Sequence, residues 1–115
     1  MMGDYRINDK AFNCPVDLTL HTIMGKWKAL ILWNLSDGTK RYGQLQRLLP
    51  EVSHRMLTKQ LRELESDGII LRKVYPVVPP KVEYSLTDRG ESIKPILQLM
   101  SEWGSTFKQI NTDIN

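Results

Sequence analysis

Cysteine is almost missing from this chain. Cys14 is the only one, which excludes a framework of intrachain disulfides. Histidine is nearly as scarce, and Cys14, His21 and His54 lack the number and spacing of ligands that a structural zinc site needs. No apolar run approaches the roughly 20 residues needed to span a bilayer, so no membrane partner is expected. The opening MMGDYRINDK has none of the apolar stretch of a secretory signal. The expected location is the cytoplasm. Glycine-rich phosphate loops, paired-histidine metal motifs and nucleophile–base sets are all missing. Glu63 and Glu65 are two apart on a helical stretch and face differently, so they do not make a carboxylate pair. No enzyme activity and no cofactor are expected.

What is present suits one domain. The 115 residues are 41% hydrophobic and 25% charged, ordinary values for a chain that builds a core. Residues 1–12 are polar and read as a flexible tail, with the domain proper over 13–115. The net charge of +3 is modest, but it is unevenly placed. From Lys40 to Lys81 nine cations meet four acids, whereas the rest of the chain has seven cations and nine acids. A basic surface confined to the middle of the chain points to a phosphate backbone, and so to double-stranded DNA.

The stretch SHRMLTKQLRELESDG, Ser53 to Gly68, carries most of that argument. Ser53 is a good N-cap and Gly68 a left-handed stop. Leu57, Leu61 and Leu64 recur at helical spacing as a narrow apolar stripe. His54, Arg55, Thr58, Lys59 and Arg62 point elsewhere, and that face holds no acid before Glu63. One-signed charge on a helix face suggests an anionic partner. The competing reading is a solvated helix with a chance run of cations.

Before it, Pro15 suits the first turn of a helix and places Cys14 near that helix's N-terminus. Gly25 breaks the run. A second helix over Lys26 to Ser36 is expected to bury Trp27 and Trp33 as packing residues, and Asp37-Gly38 closes it. A short helix from Tyr42 to Leu49 presents Leu45, Leu48 and Leu49, and Pro50 stops it. A short helix, a tight break and a longer cationic helix form a helix-turn-helix pattern, in which the second helix enters the major groove.

After Gly68, IILRKVY and VEYSLT favour strands, with the stiff PVVPP segment between them. Arg72, Lys73 and Lys81 flank that tip. A basic hairpin following a helix-turn-helix reads as a wing, although a plain solvated hairpin has the same pattern. Thr87 caps a last helix in which Ile93, Ile96, Met100, Trp103, Phe107 and Ile110 form a stripe of about six turns, bent near Pro95. So many large residues at the end of a small domain favour a partner helix. Met100, Trp103, Phe107 and Ile110 are the expected dimer contacts. The fold class is mainly α with a small β-hairpin (α+β), a winged helix-turn-helix that dimerises through its terminal helices.

These residues resemble the HxlR-type winged helix-turn-helix transcriptional regulators. The matching segments are Cys14-Pro15, Gly25-Lys26-Trp27, Arg41-Tyr42-x-x-Leu45 and Ser53-x-x-x-Leu57-Thr58-x-x-Leu61-Arg62-x-Leu64-Glu65-x-x-Gly68. They continue with Tyr75-Pro76-x-Val78-Pro79-Pro80-x-Val82-Glu83-Tyr84-x-Leu86-Thr87-x-x-Gly90, Pro95 and Trp103. Arg41-Tyr42 departs from the more usual Arg-Phe, at no expected architectural cost. The resemblance implies a homodimer through the N- and C-terminal helices, a reading helix from about Ser53 to Ser66, and a Tyr75–Val82 wing near the minor groove or backbone.

The expected function is regulation of transcription by a homodimer on a pseudo-palindromic operator. Arg55 and Lys59 are the candidates for base edges, with Ser53, His54 and Thr58 assisting. Lys40, Arg41, Arg62, Arg72, Lys73 and Lys81 are candidates for phosphates. Cys14 has two readings, a redox or electrophile sensor activated at a helix N-terminus and a small apolar filler. The space between helices has room for an unidentified small effector. The alternative function is a winged-helix docking module for protein partners, without specific DNA binding.

Overall fold

The structure is a computed structural model that describes residues 4–23 and 25–109. It opens with a small antiparallel hairpin, β1 (Tyr5–Ile7) and β2 (Lys10–Phe12), in register Tyr5↔Phe12. Asn8 turns the chain at φ +53°, a conformation asparagine tolerates better than most residues. Within the stretch that the sequence reads as a flexible tail, residues 5–12 thus form a paired hairpin, and residues 1–3 lie outside the described residues. The hairpin is tied down by contacts outside itself, with Asn8 Nδ2 donating to the distant Asp67 Oδ1 at 2.8 Å and Phe12 packing on the His21 ring of α1.

Helix α1 (Pro15–Ile23) and helix α2 (Gly25–Leu35) meet at Gly25, whose φ of +79° makes the break. A two-residue strand, β3 (Lys40–Arg41), leads into helix α3 (Tyr42–Leu48), and helix α4 follows over His54–Ser66. Ser53 Oγ accepts from the Met56 amide at the start of α4, and Gly68 turns at φ +74° after its end. Strands β4 (Ile70–Tyr75) and β5 (Lys81–Leu86) pair from Ile70↔Leu86 to Tyr75↔Lys81. Strand β3 adds to the other edge of β5, giving the order β3-β5-β4.

One core holds these elements together. Leu57, Leu61 and Leu64 of α4 are buried against Ile31, Leu32 and Leu35 of α2, with Leu45, Ile69, Ile70 and Tyr84 around them. Each such leucine contributes about 1.5–3 kcal/mol by leaving water. Two expectations for this core are corrected. Trp27 is half-buried and packs against this core as expected, whereas Trp33 is 40% exposed, because α2 turns Ile31, Leu32 and Leu35 inward instead. Leu48 is likewise exposed, while Leu45 and Leu49 are buried.

The last helix is also two pieces. Thr87 caps the short α5 (Asp88–Glu91), accepting from the Gly90 amide, and α6 (Lys94–Ser105) starts afresh. Pro95 falls in the first turn of α6, where its missing N–H leaves no bond unmade. The expected bend within one helix is therefore a break between two. Of the large apolar residues described in this region, Ile93 and Leu97 are buried, whereas Ile96, Leu99, Met100, Trp103 and Phe107 are exposed. Ile110 lies outside the described residues.

Candidate nucleic-acid interface

The geometry of α4 gives it two unlike faces. Leu57, Leu61 and Leu64 are in the core, while Arg55, Lys59 and Arg62 are exposed at the same spacing. The two sets are offset by two residues, roughly 200° around the helix. Leucines and cations therefore occupy opposite faces. Glu63, the first acid after the cations, does not interrupt the basic face. Its carboxylate sits 2.8 Å from the ammonium of buried Lys28 in α2. That hydrogen bond, opposed by burial, holds the Glu63 carboxyl below its ordinary pKa. Among the described residues, no carboxylate lies within ion-pair distance of Arg55, Lys59, Arg62 or Arg72.

Helix α4 and the wing share one groove. Its wall includes His54, Thr58, Arg62 and Glu65 from α4, and Arg72 and Tyr84 from the sheet. At the wing, Lys73 and Lys81 stand over the Tyr75 ring, 4.8 and 4.6 Å from its centroid. The Tyr75 hydroxyl donates to Glu83 at 2.9 Å, and this bond, more than Lys81, keeps the Glu83 carboxyl low. Lys81 is thus partly engaged, with Glu83 3.4 Å away. Val77 and Val78 form the exposed tip.

The remaining expected site residues are less uniform. Lys40 is turned back on Asp37, which it holds below the ordinary aspartate pKa, and its side chain is only 17% exposed. Arg41 is exposed, and its amide donates to Gln44 Oε1 at the start of α3. Cys14 is exposed and its carbonyl accepts the Leu18 amide, the first bond of α1. The space beside α1 is an open groove of about 500 Å³ lined by Ile7, Leu18, Thr22, Ile69, Ile93 and Ile96.

Sequence reasoning missed two groups here. Lys28 is buried among apolar neighbours in sequence, and nothing local announces its partner, Glu63. Tyr42 is the second. Its hydroxyl lies 2.8 Å from His54 Nδ1 and 3.3 Å from Thr58 Oγ1. The departure from Arg-Phe at Arg41-Tyr42 was the available signal.

No helix of the described residues is long and apolar enough to cross a membrane, and no group of His, Cys, Asp or Glu among them could hold a metal. The chain is 50% identical to the uncharacterized HTH-type transcriptional regulator YdeP of Bacillus subtilis (strain 168), over 91% of this chain and 81% of that protein. A similar regulator from Methanothermobacter thermautotrophicus is 48% identical over 88% of this chain and 77% of its own. Among solved structures, the redox regulator HypR in its oxidized form superposes with a TM-score of 0.80 at 50% identity, covering 84% of this chain and all of that one. The reduced form of the regulator YodB from B. subtilis gives 0.72 at 34% identity, covering 84% of this chain and 95% of that one. These relatives are transcriptional regulators rather than enzymes. The HxlR-like helix-turn-helix profile matches residues 22–112, and with that match the chain belongs to the HxlR-like family of winged-helix transcriptional regulators.

Proposed function

We propose that this regulator works as a homodimer on a pseudo-palindromic DNA operator. Helix α4 enters the major groove, with Arg55 and Lys59 at base edges and Ser53, His54 and Thr58 beside them. Arg41, Arg62, Arg72, Lys73 and Lys81 hold phosphates, and Lys40 joins them only by leaving Asp37. The observation that carries the reading is the exposed, unpaired basic face of α4, which shares a groove with Arg72 of the wing. The exposed Met100, Trp103 and Phe107 of the C-terminal region supply the apolar surface for the second copy. Two α4 helices would then meet successive major grooves about 34–36 Å apart.

Footprinting on a duplex selected from a randomised pool tests this. The expected result is two protected half-sites about one helical turn apart. Binding to an acidic protein, with no preference among duplexes, would instead favour a docking module.

Cys14 gives the regulator its redox or electrophile response in this reading. Its exposure and its place at the start of α1 support the role, as does the likeness to a structure named a redox regulator. With no second cysteine in the chain, a disulfide joins Cys14 to a small thiol or to the same residue of a second copy. An oxidant such as diamide takes up the two hydrogens released. Cys14→Ser should keep DNA binding and lose its release by diamide; an unchanged release removes the sensor role.

A further inference from the structure

Tyr42 belongs to α3, yet its hydroxyl is directed at the first turn of α4. The oxygen lies 2.8 Å from His54 Nδ1, 3.2 Å from the His54 carbonyl and 3.3 Å from Thr58 Oγ1. The two rings also pack, with centroids 5.1 Å apart. A phenol has one proton to donate, and its oxygen accepts as well. The His54 carbonyl, already the acceptor of a backbone amide one turn on, keeps a second lone pair and also lies within reach of the phenol proton. The contact to Nδ1 is the shortest of the three, and its direction follows the His54 tautomer. With the phenol donating to Nδ1, the Thr58 hydroxyl can donate to the Tyr42 oxygen in turn, a chain in which each bond polarises the next. The neutral His54 ring is then protonated at Nε2. Because His54 is exposed, that N–H is available outside the protein.

We infer that Tyr42 is a positioning residue for sequence reading: its hydroxyl fixes His54 in one tautomer and makes the ring a hydrogen-bond donor aimed at an acceptor on duplex DNA. The acceptor is purine N7 or guanine O6 at a base edge, or a phosphate oxygen. A freely exchanging imidazole offers a donor only part of the time; a fixed one rejects groups that themselves donate, such as the cytosine amino group. The inference rests on the DNA reading of α4 given above.

The test compares wild type, Tyr42→Phe, His54→Ala and the double variant on a duplex that wild type selects from a randomised pool, and on its single-base variants. Tyr42→Phe retains the packed ring and removes only the hydroxyl. Each single variant is expected to bind about 3- to 10-fold more weakly, and the double variant no more weakly than His54→Ala. Loss of discrimination at one purine assigns the acceptor to a base edge, and an equal loss on every duplex assigns it to a phosphate. The nitrogen NMR spectrum of the free protein contains two imidazoles, His21 and His54, and the His54→Ala spectrum tells them apart. Wild type should show His54 protonated at Nε2, and Tyr42→Phe a mixture of tautomers. Additive losses, or a His54 tautomer that ignores Tyr42→Phe, overturn the inference. If wild type selects no duplex at all, it is the DNA reading that fails, and the NMR comparison still decides the tautomer.

Discussion

The ammonium of Lys28 lies 2.8 Å from Glu63 Oε1, a contact that ties α2 to α4. Lys28 is only 7% exposed, and a buried cation is costly unless it is paired. Glu63→Gln leaves it with a neutral partner. The side chain of Glu63 is 42% exposed, so solvent screens the pair and the expected loss is about 1–2 kcal/mol, below that of a fully buried pair. Urea unfolding at neutral pH measures it. The pH dependence has a definite sign. The folded-state pKa of Glu63 lies below its ordinary value of 4.5. The contribution is therefore complete above the ordinary value and fades as pH falls through the depressed one. Glu63→Gln should lack that part of the acid limb.

Gly90 has its place in α5 because nothing larger fits. A Cβ there would come within 2.2 Å of the Ile69 carbonyl oxygen. The same carbonyl accepts from the Thr87 amide and hydroxyl, so it is not free to move away. Gly90→Ala is expected to destabilise the protein by about 1–3 kcal/mol. Thermal unfolding at unchanged stability would show that α5 can shift as a unit.

Arg55 and Lys73 should fail in different ways. Arg55→Ala removes a planar donor suited to guanine and should cost about 1–3 kcal/mol of discrimination at one base position. Lys73→Ala should weaken every duplex alike and lower the salt slope by about 1. Binding isotherms on base-substituted duplexes at several salt concentrations separate the two. Equal, sequence-blind losses from both would show that α4 holds phosphates and reads nothing.

Trp103 is 69% exposed and packs on Phe107 with ring centroids 4.8 Å apart. In the homodimer reading this pair is an anchor, and large aromatic anchors account for roughly 2 kcal/mol or more each at interfaces. Trp103→Asp should shift sedimentation from dimer to monomer while leaving the helical signal intact. A dimer that survives the change would place the contact elsewhere.

The parts of the fold that were legible are those written locally. Ser53, Gly68 and the leucine period of α4 lie within one short stretch, and each acts on its own neighbours. The hairpin after Gly68 was legible for the same reason, from β-rich segments separated by prolines. The N-terminal hairpin was not. Its three-residue strands have no period, and they are held by His21 and by Asp67, the latter nearly sixty residues away. Trp33 shows the other limit: hydrophobicity says what a residue tolerates, while burial depends on which side of α2 meets α4. The basic surface was legible as charge, but the sequence could not show that Lys40 would turn back to Asp37. Nor could it show that Glu63 would leave that surface for Lys28.

Strand β3 bonds to β5, and β5 bonds to β4. The entry to α3 and the wing are therefore joined through one three-stranded sheet, so that a shift of one is passed to the other. A duplex that engages both must supply the adjustment itself. Flexible pyrimidine–purine steps between the two contacts would then be favoured at positions that no side chain touches.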